Sequence, residues 1–513
     1  MLGEHRRFFL WMTLAGLVLR LLFLVCAPAV TDDSHSYLDF ASNWLLHGVY
    51  GQTELAQIVP TDTRLPGYPA FLAVVFWICG VGNIRAVLVA QILFDLVTCL
   101  LIADLARRTV PGRLAARAAF ALAVMCPFLA NYAAAVLAET VEIFFTVLAL
   151  DCAAAALEGM QGTVESTPGG RHRPPTVLWA ASGLAIGACI LLRPDGGILL
   201  VGIALYIALA AVTGVFHPKQ PASLKRCPDI NRFETSAQRF RGLLLAEIIV
   251  VGTALAPLVP WTIRNFRTLH HFQPLAPRYA NETEELAPRG FNRWVATWMV
   301  DYVSVEEIYW NVPGDKIDVG KLPERALDEP AREATLALIA DYDRTQDLTP
   351  ELDARFDQLA AERIRAHPFR YYVALPTLRV TDMWLRPRTE LLPPDIRWWE
   401  FHDDPKESAL AVGFGLLNLF YVGAAVLAVI GRRAQIRYIG LLAGFVLLRT
   451  VFLGTLENPE PRYTLECYPV VIVLAAAFLV SGKFRRSPQP NCAAHGNGDS
   501  GWQEEANHRG NSA

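Results

Sequence analysis

Residues 8–34, FFLWMTLAGLVLRLLFLVCAPAVTDDS, join a long apolar segment to a pair of adjacent aspartates. The apolar part, 8–28, has the roughly 20 residues that an α-helix needs to cross a bilayer core of about 30 Å. It follows two arginines, has no small-residue cleavage site after it, and is longer and richer in Leu and Phe than a signal peptide. We therefore expect it to remain as a membrane anchor, with Asp32 and Asp33 at the membrane surface.

The composition of the whole chain indicates the same class of protein. Of the 513 residues, 53% are hydrophobic and 19% are charged, whereas soluble domains carry about 25% charged residues. The formal net charge of −3 gives no reason to expect nucleic acid as a partner. The nine cysteines are scattered without a CxxC pair, so the sequence predicts neither a disulfide framework nor a zinc site. These features favour an all-α polytopic membrane protein.

Ten segments are long and apolar enough to be transmembrane helices. They are 8–28, 84–106, 113–133, 139–158, 177–193, 196–214, 243–261, 408–430, 437–456 and 464–482. With the N-terminus inside, nearly every short-loop basic cluster and both termini fall on the cytoplasmic side, as the positive-inside rule requires. A further apolar segment, 66–82, is short and broken by prolines and a glycine. We expect it to form a re-entrant helix or a short span outside this count.

This topology divides the chain into a membrane part and two external regions. The predicted parts are an N-terminal transmembrane module at 1–261 with the first external loop at 29–83, an external region at 262–407, C-terminal transmembrane helices at 408–482 and a disordered cytoplasmic tail at 483–513. The second external region is predicted to be a small, mainly helical outer subdomain. In it Thr349-Pro350-Glu351 has the N-cap, first-position proline and first-turn acid of a helix start.

Acidic residues stand at the outer ends of two predicted membrane segments. Asp32 and Asp33 begin an amphipathic helix, one face of which carries Tyr37, Phe40, Ala41, Trp44 and Leu45. Glu139 and Glu142 open the fourth predicted span. All of these acids could simply favour a helix N-terminus. Glu142 and also Asp95 nevertheless lie inside apolar helices, where an ionisable side chain is costly and usually faces a cavity. Acids from separate segments that converge on one cleft would suit a general base and its supporting acid.

Four arginines occur where predicted helices meet the outer membrane face: Arg64, Arg193, Arg264 and Arg462. A guanidinium binds phosphate through two parallel hydrogen bonds, so the set indicates a site for a lipid-linked phosphate. The alternative is that each one reaches lipid headgroups by snorkelling. The adjacent His270 and His271 could hold a metal, but such a pair in an interfacial loop usually has no such role.

Six short motifs occur in one order along the chain. They are Asp33-Ser34-His35-Ser36-Tyr37, Arg64-Leu65-Pro66-Gly67-Tyr68-Pro69, Leu137-Ala138-Glu139-Thr140, Leu192-Arg193-Pro194, Pro260-Trp261-Thr262-Ile263-Arg264-Asn265 and Pro461-Arg462-Tyr463. In this order, and on one side of the membrane, they resemble landmarks of the GT-C superfamily of integral-membrane glycosyltransferases, of the protein O-mannosyltransferase and aminoarabinose-transferase type. The resemblance covers about residues 8–482.

The resemblance implies a GT-C fold with about ten transmembrane helices and inverting transfer of a sugar from a polyprenyl-phosphate donor. The first-loop aspartate would be the general base; because two aspartates adjoin here, Asp32 and Asp33 are both candidates, and Asp33 is favoured. Glu139 would orient the acceptor or support the base. The leaving phosphate would be neutralised by Arg64, Arg264, Arg193 and Arg462. The substrate would be contacted by Tyr37, Tyr68 and Tyr463.

The resemblance leaves the sugar and the acceptor open. The expected partners are the polyprenyl-phosphate sugar donor, an acceptor that is a glycan, a lipid or a protein, and membrane lipids of the plasma (inner) membrane, with no nucleic acid. Metal dependence varies across the superfamily, and no cluster of ligands in the sequence indicates a divalent metal or another cofactor. Two alternatives stay open: a transporter, since intramembrane acids also mark substrate pathways, and a catalytically inactive relative that binds the lipid carrier.

Overall fold

The computed structural model describes residues 5–112, 114–160, 174–213, 230–281, 285–328, 331–401, 404–433 and 435–480. The predicted tail at 483–513 lies outside these residues. The helices are α1 (Arg6–Cys26), α2 (Asp32–His47), α3 (Gly67–Cys79), α4 (Ile84–Thr109), α5 (Ala115–Val124), α6 (Pro127–Tyr132), α7 (Glu139–Met160), α8 (Pro175–Leu192), α9 (Gly197–Thr213), α10 (Ile230–Leu255), α11 (Leu258–Thr268), α12 (Arg289–Ala296), α13 (Tyr302–Glu307), α14 (Arg332–Tyr342), α15 (Pro350–Ala366), α16 (Leu375–Leu385), α17 (Pro405–Arg432), α18 (Ile439–Gly454) and α19 (Tyr468–Val480). One hairpin pairs β1 (Gly51–Glu54) antiparallel with β2 (Gln57–Pro60).

Eight helical segments of the described chain are long and apolar enough to cross a membrane. They are Arg6–Cys26, Ile84–Thr109, Glu139–Met160, Pro175–Leu192, Pro194–Thr213, Phe240–Thr268, Pro405–Gly431 and Pro461–Val480. The prediction of a helical multi-pass membrane protein is therefore confirmed. Three further apolar helices, α3, α5 and α18, are shorter, so the expected count of about ten spans is not established. With 13 residues, α3 rises only about 20 Å.

The predicted span at 113–133 is interrupted in the structure. After α5 ends, the chain turns through Met125 and Cys126, and α6 begins with Pro127 at its first position. Proline lacks the N–H that would continue the hydrogen-bond ladder of α5, and its ring crowds the preceding turn. The apolar composition runs on without a gap across this break, which is why hydropathy alone predicted a single span.

At this break, a buried arginine of α1 forms hydrogen bonds with α4 and α5. Arg20 donates a 2.6 Å hydrogen bond to the Asp95 carboxylate of α4, and both side chains are almost fully buried. The same guanidinium donates to the main-chain oxygen of Val124, at the end of α5, and to that of Gly16 at 3.2 Å. Asp95, which raised the question of a substrate pathway in the sequence, therefore has a structural partner inside the helix bundle.

The region 262–407 builds an apolar core of its own and also packs against membrane helices. Trp294, Trp298 and Phe356 lie at the centre of that core. As predicted, a helix begins at Pro350, with the Thr349 hydroxyl accepting from the main-chain N–H of the third helical residue. At the other end of this region α16 packs against α18. The proposed domain boundaries themselves remain predictions.

Main-chain pairing brings the two predicted acidic sites together. Between α1 and α2, Ala29 donates to the carbonyl of Ala134 at 3.1 Å and accepts from the N–H of Val136 at 3.0 Å. In this short parallel bridge, Ala29 lies three residues before the start of α2, and its partner Ala135 lies a few residues before the start of α7. The N-termini of α2 and α7, which carry Asp33 and Glu139, are therefore neighbours.

Candidate functional site

Asp33, in the first turn of α2, lies between two arginines from distant parts of the chain. Its Oδ1 accepts a hydrogen bond from Arg64 at 3.0 Å, and its Oδ2 accepts one from Arg462 at 3.2 Å. Burial raises the pKa of Asp33, but the two guanidiniums outweigh it and hold the pKa below its ordinary value of 3.8. The side chain is 29% exposed, so the carboxylate is accessible from outside the protein.

The start of α2 explains why the adjacent Asp32 and Asp33 make different contacts. Thr31 is the N-cap, and its main-chain N–H donates to the Ser34 hydroxyl at 2.9 Å. The helix is therefore capped by side chains other than the aspartates, which still favour its positive end. Asp32 is exposed and makes no hydrogen bond or ion pair within the described chain. Of the pair, only Asp33 faces the arginines.

Arg462 links the first acidic site to the second. It lies in a 3₁₀ turn, Pro461–Cys467, directly before α19. Besides Asp33, its guanidinium contacts Glu139 at 3.9 Å and forms a close ion pair with Glu460. Asp33 and Glu139 thus share one cation, and the convergence of the two acidic sites that the sequence predicted is present in the structure.

Glu460 was not identified from the sequence, although it borders the predicted Pro-Arg-Tyr motif. It is 3% exposed and accepts a 2.6 Å hydrogen bond from the Tyr463 hydroxyl and a 3.2 Å bond from Asn458. These contacts fix the carboxylate beside Arg462. The predicted substrate contact Tyr463 therefore has its hydroxyl engaged by Glu460.

Arg193 approaches the same acids from the end of α8. It contacts Glu139 at 3.2 Å and Glu142 at 3.7 Å, and its guanidinium lies 4.9 Å from the centre of the Tyr463 ring. Glu142 is 1% exposed, as expected for an acid that faces the inside of the bundle. The structure therefore places Arg193 beside Glu139, which Arg462 also contacts.

A deeper layer of charges holds Arg193 in place. Asp195 contacts Arg193 at 3.3 Å and also accepts a 2.9 Å hydrogen bond from Arg449 of α18. Arg449 in turn pairs with Glu466 at 2.7 Å, and both are about 1% exposed. These three residues were not identified from the sequence, although a lone arginine within the apolar segment of α18 is itself a signal of a buried charged partner.

Arg264 does not join the carboxylate cluster. Its guanidinium donates to the main-chain oxygen of Thr61 at 2.7 Å and to that of Tyr50, and it lies over the Tyr50 ring. The Tyr50 hydroxyl donates to the main-chain oxygen of Arg64 at 2.9 Å. Among the described residues, Arg264 makes no ion pair with an acid. It holds the loop that carries Arg64.

The two other predicted tyrosines, Tyr37 and Tyr68, contact each other. The rings of Tyr37 and Tyr68 are 5.0 Å apart at nearly right angles. Burial, with the neighbouring charge of Asp33, raises the pKa of Tyr37 to about 12, so this hydroxyl keeps its proton. The Tyr68 hydroxyl donates to Gln91 at 2.6 Å, which ties α3 to α4.

Of the two adjacent histidines, His271 makes a contact outside the carboxylate cluster. His271 Nε2 lies 2.8 Å from the buried Asp62 carboxylate, and its Nδ1 lies 3.1 Å from the main-chain oxygen of Leu269. Within the described residues, no group of three or more His, Cys, Asp or Glu side chains is arranged to hold a metal ion. His271 thus contacts the chain just before Arg64, as Arg264 does.

No family model and no characterised protein matches this chain by sequence. By structure, it is similar to an oligosaccharyltransferase of Archaeoglobus fulgidus tethered to an acceptor peptide, with a TM-score of 0.50 and 12% identity over 93% of this chain and 50% of that one. The AglB oligosaccharyltransferase of Archaeoglobus fulgidus, in complex with an inhibitory peptide and dolichol-phosphate, has a TM-score of 0.45 and 11% identity over 94% and 51%. ArnT of Cupriavidus metallidurans, bound to undecaprenyl phosphate, has a TM-score of 0.34 and 14% identity over 92% and 77%.

These similarities concern the fold. The chain spans about half the length of the oligosaccharyltransferases that it matches. At these identities only the architecture is comparable, and it is similar to that of the archaeal oligosaccharyltransferase. The resemblance that the sequence motifs predicted is therefore confirmed at the level of the fold.

Proposed function

We propose that this protein with a GT-C-like fold is an inverting glycosyltransferase that moves a sugar from a polyprenyl-phosphate donor to an acceptor hydroxyl at the outer membrane face. One observation carries the proposal: the partly exposed Asp33 carboxylate lies between Arg64 and Arg462, and Arg462 also reaches Glu139. A base placed beside cations that can neutralise a leaving phosphate is what such a displacement requires.

The reaction begins when Asp33 takes the proton of the acceptor hydroxyl. The acceptor oxygen attacks the anomeric carbon from the face opposite the phosphate, and the bond between this carbon and the phosphate oxygen breaks. The electron pair leaves with the polyprenyl phosphate. Its added charge is neutralised by Arg64, Arg462 and Arg193, whose planar guanidiniums suit phosphate oxygens.

Donor binding would also strengthen the base. Arg64 and Arg462 lower the pKa of Asp33 in the free protein, and a phosphate would compete with the carboxylate for the same two guanidiniums. As they turn towards the phosphate, the pKa of Asp33 rises and its affinity for a proton increases. The base would then be most effective when donor is present.

The remaining predicted residues support this arrangement. Glu139 contacts Arg193 and Arg462, so it can orient both cations and the acceptor. Arg264 acts through the loop that carries Arg64 rather than by touching the phosphate. The sugar and the acceptor, whether glycan, lipid or protein, are left to experiment, as is the catalytically inactive alternative.

The test compares the purified wild type with Asp33→Asn and Asp32→Asn on a panel of polyprenyl-phosphate sugars. Asp32 is a matched control because it is adjacent, has the same charge and is exposed. We expect wild-type turnover, an Asp32→Asn rate close to it, and a loss of about 10²–10⁴-fold in Asp33→Asn. Loss of activity in Asp32→Asn alone would reverse the assignment of the base. Equal binding of polyprenyl phosphate by all three, without turnover on any donor, would favour the inactive lipid-carrier-binding relative.

A further inference from the structure

Helix α15 of the outer region has the pattern of a helix in contact with water. Its exposed face carries charged and amide side chains: Glu351, Arg355, Gln358, Glu362 and Arg365. Its buried face includes Leu352, Phe356 and Leu359, which pack into the apolar core of the region. Polar outside and apolar inside is the usual arrangement where the solvent is water.

The polarity reverses after Pro368, in the segment 369–385. This segment contains a π-helical turn, Arg370–Ala374, and α16. Its large exposed side chains are apolar or aromatic and are between 43% and 72% exposed: Phe369, Tyr372, Val373, Leu378 and Leu385. These five side chains form what we call the outward face of the segment. A face of this composition does not suit contact with water.

The polar groups on the same side of α16 are satisfied by the helix itself. Thr377 donates to the main-chain oxygen of Val373 at 2.7 Å, and Thr381 donates to that of Thr377 at 2.8 Å. Both threonines are exposed, yet neither hydroxyl depends on water for a hydrogen bond. A hydroxyl in an apolar environment needs such a partner.

The charged side chains of α16 point into the protein. Arg379 is 3% exposed and donates to the main-chain oxygens of Met299 at 2.9 Å and Gly454 at 3.3 Å. Asp382 accepts a 3.0 Å hydrogen bond from the main-chain N–H of Tyr302. α16 thus buries its charges and exposes its apolar side chains, the reverse of α15. This arrangement is typical of a helix whose outer face meets lipid, because charges within a membrane face the protein interior.

α16 also lies beside two membrane helices. The Trp384 indole donates to the Thr450 hydroxyl of α18 at 3.2 Å, and Asn418 of α17 donates to the main-chain oxygen of Trp384 at 2.8 Å. Asn418 is the middle residue of the candidate span Pro405–Gly431, so the end of α16 lies well within the length of that span. The exposed side chains within one turn of these two contacts include Leu416, Leu419, Leu447 and Val451. The segment therefore borders apolar surface of both helices.

We propose that the outward face of 369–385 lies in the bilayer, in contact with lipid acyl chains at the end of the helix bundle that carries Asp33. The segment enters the membrane from the outer region, where Arg370 pairs with Asp328. It returns on the same side, because Arg388 donates to the main-chain oxygen of Pro461 at 2.9 Å. The region 262–407 is then anchored in the membrane through α16. The inference goes beyond the proposed function and does not depend on it.

The test is photolabelling of the wild type in vesicles of phosphatidylethanolamine and phosphatidylglycerol, with a trace of lipid that carries a diazirine near the middle of its acyl chain. Trypsin then releases three peptides: 371–379 from the outward face, 407–432 from α17 and 356–363 from α15. Mass spectrometry compares carbene insertion per residue. We expect 371–379 to be labelled about as much as 407–432 and about tenfold more than 356–363, because a carbene on an acyl chain reacts with groups that contact lipid. A water-soluble diazirine should label 356–363 most.

The three peptides are matched controls for one another. All come from one preparation of the unaltered chain, so a folding defect cannot cause a difference between them. Lipid labelling of 371–379 no greater than that of 356–363 would overturn the inference, whatever the water-soluble reagent labels. Lipid labelling that appears only when the protein is diluted in the vesicles would assign the outward face to a second copy of this chain and would also overturn it. Sugar transfer plays no part in this readout, so the proposed function can fail while the lipid contact stands.

Discussion

Replacement of Asp95 by leucine separates the role of a buried ion pair from a role in transport. Asp95 and Arg20 are joined at 2.6 Å with 4% and 0% of their side chains exposed. Asp95→Leu leaves the Arg20 guanidinium buried without its counter-charge, which typically costs about 3–5 kcal/mol of stability. We expect sugar transfer by the folded variant to match the wild type, because Asp95 contacts no residue proposed for catalysis.

The double variant Arg20→Met with Asp95→Leu separates the cost of the unpaired charge from the cost of the lost main-chain hydrogen bonds. Replacing both members with apolar side chains of similar size removes the unpaired charge and should recover most of the loss. Recovery should stop short of the wild type, because Arg20 also donates to the main-chain oxygens of Val124 and Gly16. The unsatisfied carbonyl at the end of α5 would retain a penalty of about 1–3 kcal/mol.

The assay is reversible unfolding in mixed micelles, with sugar transfer measured on the same preparations. The control is Arg107→Leu on the same helix α4, since Arg107 is 45% exposed and pairs with a neighbouring acid on the helix surface; it should cost less than about 1 kcal/mol. Equal stability of Asp95→Leu and the control would refute the structural role of the pair. A loss of activity in Asp95→Leu greater than in Asp33→Asn would instead favour the transporter alternative.

Three further predictions concern the proposed site. Arg64→Gln should move the acid limb of the kcat/KM profile to higher pH. In the free protein two arginines hold the pKa of the proposed base Asp33 below 3.8, and removal of one of them raises that pKa. An acid limb that does not move would contradict the assignment of Asp33 as the base. Arg264→Met should raise the donor KM about tenfold with little change in kcat, because it removes support from the loop rather than a transition-state contact; an equal fall in kcat would place Arg264 at the phosphate. Glu460→Gln should tighten polyprenyl-phosphate binding a few-fold, because Arg462 loses a competing carboxylate, and weaker binding would show that Glu460 mainly orients Arg462.

The membrane-helix architecture was predictable because its signal is local. A run of about 20 apolar residues predicts a helix wherever it occurs, and α1, α4 and α7 begin and end within a few residues of the predicted spans. The interruption at Pro127 was not predicted, because the surrounding residues are uniformly apolar and only the proline marks the break. Arg20, which stabilises that break, lies more than 100 residues away in the chain.

The proposed site was predictable in part for the same reason. Asp33, Glu139, Arg193 and Arg462 lie at helix ends within short motifs, and the structure brings them together. The contacts of Arg264 with main-chain oxygens leave no trace in a motif. Glu460 lies beside the Pro-Arg-Tyr motif, but only the folded structure shows that its carboxylate pairs with Arg462.

The shared ion pair of Arg462 has a consequence for biosynthesis. Arg462 is translated 429 residues after its partner Asp33, and Arg449 follows Asp195 by 254 residues. While the ribosome is between these points, the carboxylates of the first half of the chain have Arg64 and Arg193 as partners but still lack Arg449 and Arg462. Until the last two helices arrive, these acids therefore have less compensating charge than in the complete fold. A nascent chain arrested before Arg449 should therefore be recognised and degraded faster than one arrested after Arg462.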